Sequence, residues 1–226
     1  FLGHIRAVDA ILHVVRCFEN DDVVHVDGSV DPIRDVETIE LELVLADLDS
    51  AERQLEKTKR AASQKDAESQ QRAEVLEPMV ALLRDGKPSR IAVQEMDPAS
   101  QRLARSLGFI TSKPVLYVAN VDESDPLGEH NPHVATLRNW VATNGGSLVA
   151  ISGAIEAEIA QFETDAEKLE FLNGIGLTES GLARLGRERL VRNACVAAGN
   201  SGRPELIPAL ERRLTDASAL VRGHAG

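Results

Sequence analysis

Pro114-Val115-Leu116-Tyr117-Val118-Ala119, followed at once by Asn120-Val121-Asp122-Glu123, is the stretch on which the fold turns. Six apolar residues, several of them β-branched or aromatic, ending in a polar loop read as a buried strand with its functional groups at the carboxyl end. Downstream, the loop Asn120–Pro132 precedes a helix in which Val134, Leu137 and Val141 share a face, and Gly145-Gly146 closes it. Ser147-Leu148-Val149-Ala150-Ile151-Ser152 is the next strand. Strand, loop, helix and strand within about 38 residues make a βαβ unit with parallel pairing.

Upstream, Val8 to Phe18 is a nearly unbroken apolar run and reads as a third parallel strand buried on both faces. Between these strands the period changes. After the opening Asp31-Pro32, the positions Leu41, Val44, Leu48, Ala51, Leu55, Thr58 and Ala62 alternate in threes and fours, a heptad seam. Polar residues from Ser63 to Ser69 interrupt it. Ala73, Leu76, Val80 and Leu83 then resume a helical stripe that Gly86 and Pro88 end. The expectation is an antiparallel coiled-coil hairpin, then a short helix over 98–107. Further helices are expected over 155–185.

The composition narrows the class. Of 226 residues, 43% are hydrophobic and 27% charged, too apolar for a disordered chain and too charged for a membrane protein. No run approaches the roughly 20 apolar residues of a bilayer-spanning helix. Two cysteines, Cys17 and Cys195, cannot form a disulfide framework and suit a reducing, cytoplasmic location. The net charge of −11 repels phosphate backbones at long range, so any nucleic-acid contact must be local. Arg53, Lys57, Lys59, Arg60 and Lys65, near the hairpin tip, are the candidate RNA contacts. They alternate with Glu52, Glu56, Asp66 and Glu68, which is equally the pattern of a solvated helix face. His13 lies in an apolar strand and reads as a core residue, Cys17 as a buried small hydrophobe and Trp140 as packing. No histidine stands at metal-site spacing from a cysteine or carboxylate, so no metal is assigned.

At the carboxyl edge of a parallel sheet, loops converge on ligands. The Asn120 amide offers a donor and an acceptor to a base edge, whereas the Glu123 carboxylate only accepts, which selects for an amine. Ser152-Gly153-Ala154 is a small-residue turn whose amides could approach the same ring.

From Phe1 to about Leu185 the chain resembles the YchF-type Obg-like ATPases, a branch of the P-loop NTPases. The likeness rests on Phe1-Leu2, Asp9-Ala10-Ile11, His13-Val14-Val15-Arg16-Cys17-Phe18-Glu19-Asn20-Asp21, Asp31-Pro32, Glu37-Thr38-Ile39, Leu43 to Leu48, Tyr117 to Val121 and Ala154 to Ile159. It implies that the hairpin is the family's coiled-coil insertion and that Asn120-Val121-Asp122-Glu123 stands where relatives carry Asn-Lys-x-Asp. It further implies that Glu123 accepts from the adenine amine, that Val121 packs on the base, and that Ser152, Gly153 and Ala154 form the second base loop. ATP, a ribosomal RNA partner and magnesium follow from the same likeness. No G-x-x-x-x-G-K-[ST] and no D-x-x-G switch occurs in these residues, so ATPase activity is expected of the family but not of this stretch by itself, and magnesium ligands are missing from it. The chain begins at Phe1 rather than Met, and the likeness places a phosphate-loop segment before it and a TGS domain after it.

Beyond Arg187 the likeness changes. Arg189 to Gly202, with Val221 to Ala225, looks like the C-terminal HEAT-like region of epoxyqueuosine reductases, which implies a tRNA contact. The expected organisation is a partial NTPase domain (1–32), a coiled-coil helical insertion (33–113), the base-binding half of the NTPase domain (114–185) and a HEAT-like helical segment (186–226). The fold class is α/β: a three-stranded parallel sheet with helical additions. Because the first strand would pair with a phosphate-loop strand, its outer edge is expected to be open and prone to self-association. A second reading, a non-catalytic helical adaptor that binds RNA or protein, stays open on these residues.

Overall fold

The computed structural model describes residues 2–20, 29–63 and 66–184. Lys65 and the segment 186–226, with its HEAT-like pattern and Cys195, lie outside the described residues. The chain divides into two compact units. The first comprises 1–15, 22–118 and 132–148, and the second 16–21, 119–131 and 149–226.

The described strands form one three-stranded sheet. Its strands are β1 (Ile11–Arg16), β2 (Val115–Asn120) and β3 (Ser147–Ile151), in the order β1-β2-β3. The pairing is parallel. The Ile11 N–H bonds Pro114 O at 3.0 Å, and the Cys17 N–H bonds Asn120 O at 2.8 Å. The same register therefore holds at both ends of β1. β2 lies in the middle of the sheet, which suits its continuous apolar run: Tyr117 and Ala119 are fully buried.

β1 departs from the sequence expectation. It spans six residues rather than 8–18, because Leu2–Ala7 forms a short helix, α1, and residues 8–10 bend before the strand. Nor is it buried on both faces, for Leu12 and Val14 are 59% and 64% exposed. Apolar content alone predicted burial, but burial needs a covering element. Among the described residues β1 pairs with a strand on one edge only.

In the first unit, α2 (Pro32–Ala62) and α3 (Ala67–Arg84) pack along their length. The Asp31 carboxylate caps α2 by accepting from the Ile33 and Arg34 amides, and Pro32 occupies its first turn. Asp66 caps α3, and α3 ends where Gly86 turns left-handed (φ 72°). There the Lys87 N–H donates to Leu82 O and the Gly86 N–H to Leu83 O, two hydrogen bonds back onto the last turn. Ion pairs Arg84–Glu52 (2.8 Å) and Lys59–Glu77 (2.7 Å) fix the two helices as antiparallel. Val44, Ala51 and Leu55 meet Val75, Leu76, Met79, Val80 and Leu83 in a core that α4 (Arg90–Glu95) and α5 (Pro98–Ser106) complete. Leu41 is a correction to the heptad reading: it is 49% exposed, while Glu40 beside it is 5% exposed. The buried face of α2 rotates onto Val36, Glu40, Leu43 and Asp47 because those carboxylates have partners inside.

Asp47 accepts from the amides of Ile110 (3.0 Å) and Thr111 (2.7 Å), which open a 3-10 turn over 110–112. Glu40 Oε1 accepts from the Tyr117 phenol at 2.8 Å and sits 3.0 Å from an Arg90 nitrogen, which also donates to the phenol oxygen at 2.7 Å. Burying two charges is tolerable only when each finds a partner, and this triad supplies one for each. Burial and the Glu40 carboxylate push the Tyr117 phenol well above its ordinary value, despite the opposing Arg90 charge. His13 lies against the Tyr117 ring (centroids 5.5 Å apart) and Trp140 meets it edge-on (5.6 Å). Trp140 belongs to α6 (Pro132–Asn144), whose Val134, Leu137 and Val141 are buried as the sequence pattern required.

The second unit is smaller in its described core. Among the described residues its helices are α7 (Gly153–Ile159), α8 (Asp165–Gly174) and α9 (Gly181–Arg184). Ile155 and Ile159 pack with Leu172 and Leu177, and Leu127 and Phe171 close the edge. Thr164 and Glu167 form a reciprocal capping box that starts α8.

Candidate functional site

The ends of β2 and β3 and the residues after β1 lie together in the second unit, where hydrogen bonds lace them. Asn120 O accepts from the Cys17 N–H, and the Val121 N–H donates to Ile151 O at 2.9 Å. The Asn120 side chain adds a third tie: its Oδ1 accepts the Gly153 N–H at 2.8 Å. Asn120 and the 152–154 turn, matched in the sequence only by chemistry, are therefore in direct contact. Gly153 suits this approach, since a Cβ there would come within 3.1 Å of Asn120 Oδ1.

With Oδ1 committed, the Nδ2 group is what Asn120 can offer to a ligand. It is a double donor with no acceptor character, suited to a ring nitrogen or carbonyl oxygen. Ser152 is buried and its hydroxyl accepts from the Ile155 amide at 3.5 Å, so it starts α7. Gly153 and Ala154 are exposed beside it. Glu123 is also exposed. Val121 is 3% exposed, so it underlies the strand ends and has almost no free surface of its own.

The loop from Asn120 to Asn131 is internally bonded. Asp122 Oδ1 accepts from the Ser124 amide at 2.9 Å, and this bonding holds its carboxyl below the ordinary aspartate range. The Asp125 carboxylate accepts from the Glu129 (3.1 Å) and His130 (2.9 Å) amides. Asn131 Nδ2 donates to Cys17 O at 2.6 Å. The sequence reading missed Asn131. Its signal, an Asn directly before a helix-opening Pro, reads as a helix start and hides a longer-range bond. Cys17 is fully buried, as expected of a small hydrophobe.

The candidate RNA contacts on α2 are a different matter. Arg53 bridges Asp49 at 2.8 Å, Lys59 bridges Glu77, and Arg60 pairs with Glu56. Those three positive charges each have a carboxylate beside them, which leaves Lys57, exposed and in no ion pair among the described residues, as the uncompensated charge of the described set. Among the described residues no group of three or more His, Cys, Asp and Glu could hold a metal ion, and no helix is long and apolar enough to cross a membrane.

No family model matches the chain. It is 43% identical over 188 residues to the ribosome-binding ATPase YchF of Bacillus subtilis, covering 82% of this chain and 50% of that protein. The protein of the same name in Escherichia coli O157:H7 is 38% identical over 185 residues, again 82% of this chain and 50% of the relative. Obg-like ATPase 1 of Oryza sativa subsp. indica is 36% identical over 169 residues, 73% of this chain and 42% of the relative. Among solved structures, the Schizosaccharomyces pombe YchF GTPase superposes with a TM-score of 0.68 at 30% identity, covering 81% of this chain and 50% of that one. The chain spans about half the length of the curated relatives it matches.

Proposed function

Over residues 1 to about 185 the chain is a homologue of the YchF-type Obg-like ATPases, and from that premise we propose that its strand-end cluster is the base-recognition half of a purine-nucleotide site. The Asn120–Gly153 bond carries this reading. It turns a floppy carboxamide into an oriented donor beside a small-residue turn, at the sheet edge where parallel α/β folds take their ligands. Asn120 Nδ2 donates to an acceptor on the ring, Glu123 accepts from an exocyclic amine, and the Gly153–Ala154 backbone flanks the ring plane. Val121 supports the strand ends from below.

Glu123 is the residue proposed to favour adenine. An amine stands on carbon 6 of adenine, whereas guanine carries a carbonyl there, which a carboxylate repels. The relatives' names divide between ATPase and GTPase, so the base preference is a test as well as a proposal. Nothing in these 226 residues supplies the glycine-rich loop, its lysine or the magnesium-binding hydroxyl, so no hydrolytic step is assigned to them. We read the α2–α3 pair as the family's coiled-coil insertion. Ribosome association is a proposal that comes from the relatives' name, and the paired charges on α2 point to a contact of weak salt dependence.

The deciding experiment is a calorimetric titration of the chain with adenosine, ATP, guanosine and GTP. Adenosine and ATP should bind with equal, weak affinity, and guanosine and GTP more weakly. An ATP affinity ten-fold above that of adenosine would show that phosphate contacts exist here, and overturn the base-only reading. Binding of none of the four moves the assignment to the helical adaptor.

A further inference from the structure

The loop that carries Glu123 begins and ends on one residue, Cys17. Its N–H bonds Asn120 O at 2.8 Å and its C=O accepts from Asn131 Nδ2 at 2.6 Å. Between those anchors the loop folds on itself: Asp125 N–H to Asp122 O (3.2 Å), Gly128 N–H to Asp125 O (2.9 Å), and the Asp122 and Asp125 carboxylates on the Ser124, Glu129 and His130 amides. The Glu123 side chain is exposed and makes no hydrogen bond or ion pair with another described residue. Its position is set entirely by the backbone that bears it.

We infer that Asn131 is a positioning residue for base recognition, a clasp whose amide holds the loop closed on the residue after β1 and so sets where the Glu123 carboxylate stands. This rests on the base-recognition reading above, but the clasp itself does not. A closed loop meets its ligand without an ordering cost, whereas an open one loses that advantage in affinity. One side chain–backbone bond corresponds to about a five-fold effect. The effect falls on recognition of the exocyclic amine, since Asn120 is held separately through Gly153.

Two measurements on the whole chain separate the possibilities, both made well below each variant's melting temperature. The first is hydrogen exchange at the amides of Ser124, Glu129 and His130. The second is the ratio of affinities for adenosine and for purine riboside, which differ only in the amine. In Asn131→Ala the three amides should exchange about five-fold faster and the ratio should fall about five-fold. Asn131→Asp, of the same shape but without the N–H donor, should match Asn131→Ala in both. Unchanged exchange in either variant overturns the clasp, whatever the ligand data. Faster exchange with an unchanged ratio overturns the link to Glu123. A wild-type chain that binds the two nucleosides equally or not at all sinks the base reading and the role of Glu123 with it, and the exchange rates still decide whether Asn131 closes the loop.

Discussion

Asn120 Oδ1 and the Gly153 N–H, 33 residues apart in sequence, lie 2.8 Å apart and join the end of the middle strand to the turn after the third. The bond satisfies an amide at the first turn of α7 that has no partner within the helix. It also fixes which end of the carboxamide faces away. Structure and proposed recognition are thus coupled in one group, and substitutions can separate them.

Asn120→Asp keeps an oxygen for the Gly153 amide but removes the only donor. The chain should melt close to wild type while adenosine affinity drops about ten-fold, the worth of one good bond to a ligand. Asn120→Ala should lose both. Parallel calorimetry and thermal melts check this, and an Asn120→Asp chain that binds as well as wild type removes Asn120 from the site.

The buried Glu40–Arg90–Tyr117 triad predicts unequal costs. Arg90→Met strands the Glu40 carboxylate inside and should destabilise by about 3–5 kcal/mol. Tyr117→Phe leaves the ion pair (3.0 Å) in place and should cost about 1 kcal/mol. Urea unfolding followed through Trp140, which lies 5.6 Å from the Tyr117 ring, reads both. Equal costs would mean that the charges are not paired as described.

Gly146 should be far less replaceable than Gly86, although both have positive φ. At Gly86 (φ 72°) a Cβ meets nothing within 4 Å, so Gly86→Ala carries only the left-handed penalty of about 1 kcal/mol. At Gly146 (φ 124°) the Cβ would stand 2.9 Å from the Tyr117 ring and 3.0 Å from Val115. Gly146→Ala should therefore cost several-fold more in urea unfolding. Similar costs at the two positions would contradict the close packing of the Gly145-Gly146 turn on β2.

His13 makes stability fall on mild acidification. Burial holds its imidazole below the ordinary histidine value, with the Glu40 charge opposing. The folded chain keeps the ring neutral, so at lower pH the unfolded chain binds the proton more readily. No contribution exists above the unfolded value of about 6.5, and stability is lost as pH drops below it toward the lowered folded value. His13→Phe, which keeps a ring against Tyr117, should flatten the urea midpoint between about pH 7 and pH 5. The carboxylates held low by hydrogen bonds, Asp66, Asp97, Asp122 and Glu167, lose their contribution only as pH falls further, below the ordinary carboxylate values. A His13→Phe chain with the wild-type slope over that window would place the acid sensitivity elsewhere.

How much the residues announced depends on how local their cause is. The period change from strand to helix after Asp31 and the stop at Gly86 are written in neighbouring residues, and each stands within a position or two of its expected place. The parallel strand–helix–strand unit from Val115 to Ile151 is equally local, because Val134, Leu137 and Val141 recur at helical spacing between two short apolar runs. Asn120 was legible as a polar group at the end of such a run.

Other features depend on residues far apart, and only tertiary structure decided them. Leu41 looked like a seam residue, yet Arg90 and Tyr117, 50 and 77 positions from Glu40, draw Glu40 inside instead. The apolar run at β1 fitted a doubly covered strand, but whether Leu12 and Val14 are buried depends on what lies over them. The Asn120–Gly153 and Asn131–Cys17 bonds close gaps of 33 and 114 residues. A side chain's own sequence neighbours state its propensity, whereas its partner is chosen by the register of strands and the packing of helices. Composition, element order and the chemistry at the strand ends belong to the sequence; which charges are buried, which apolar residues stay outside and which polar atoms remain for a ligand belong to the folded chain.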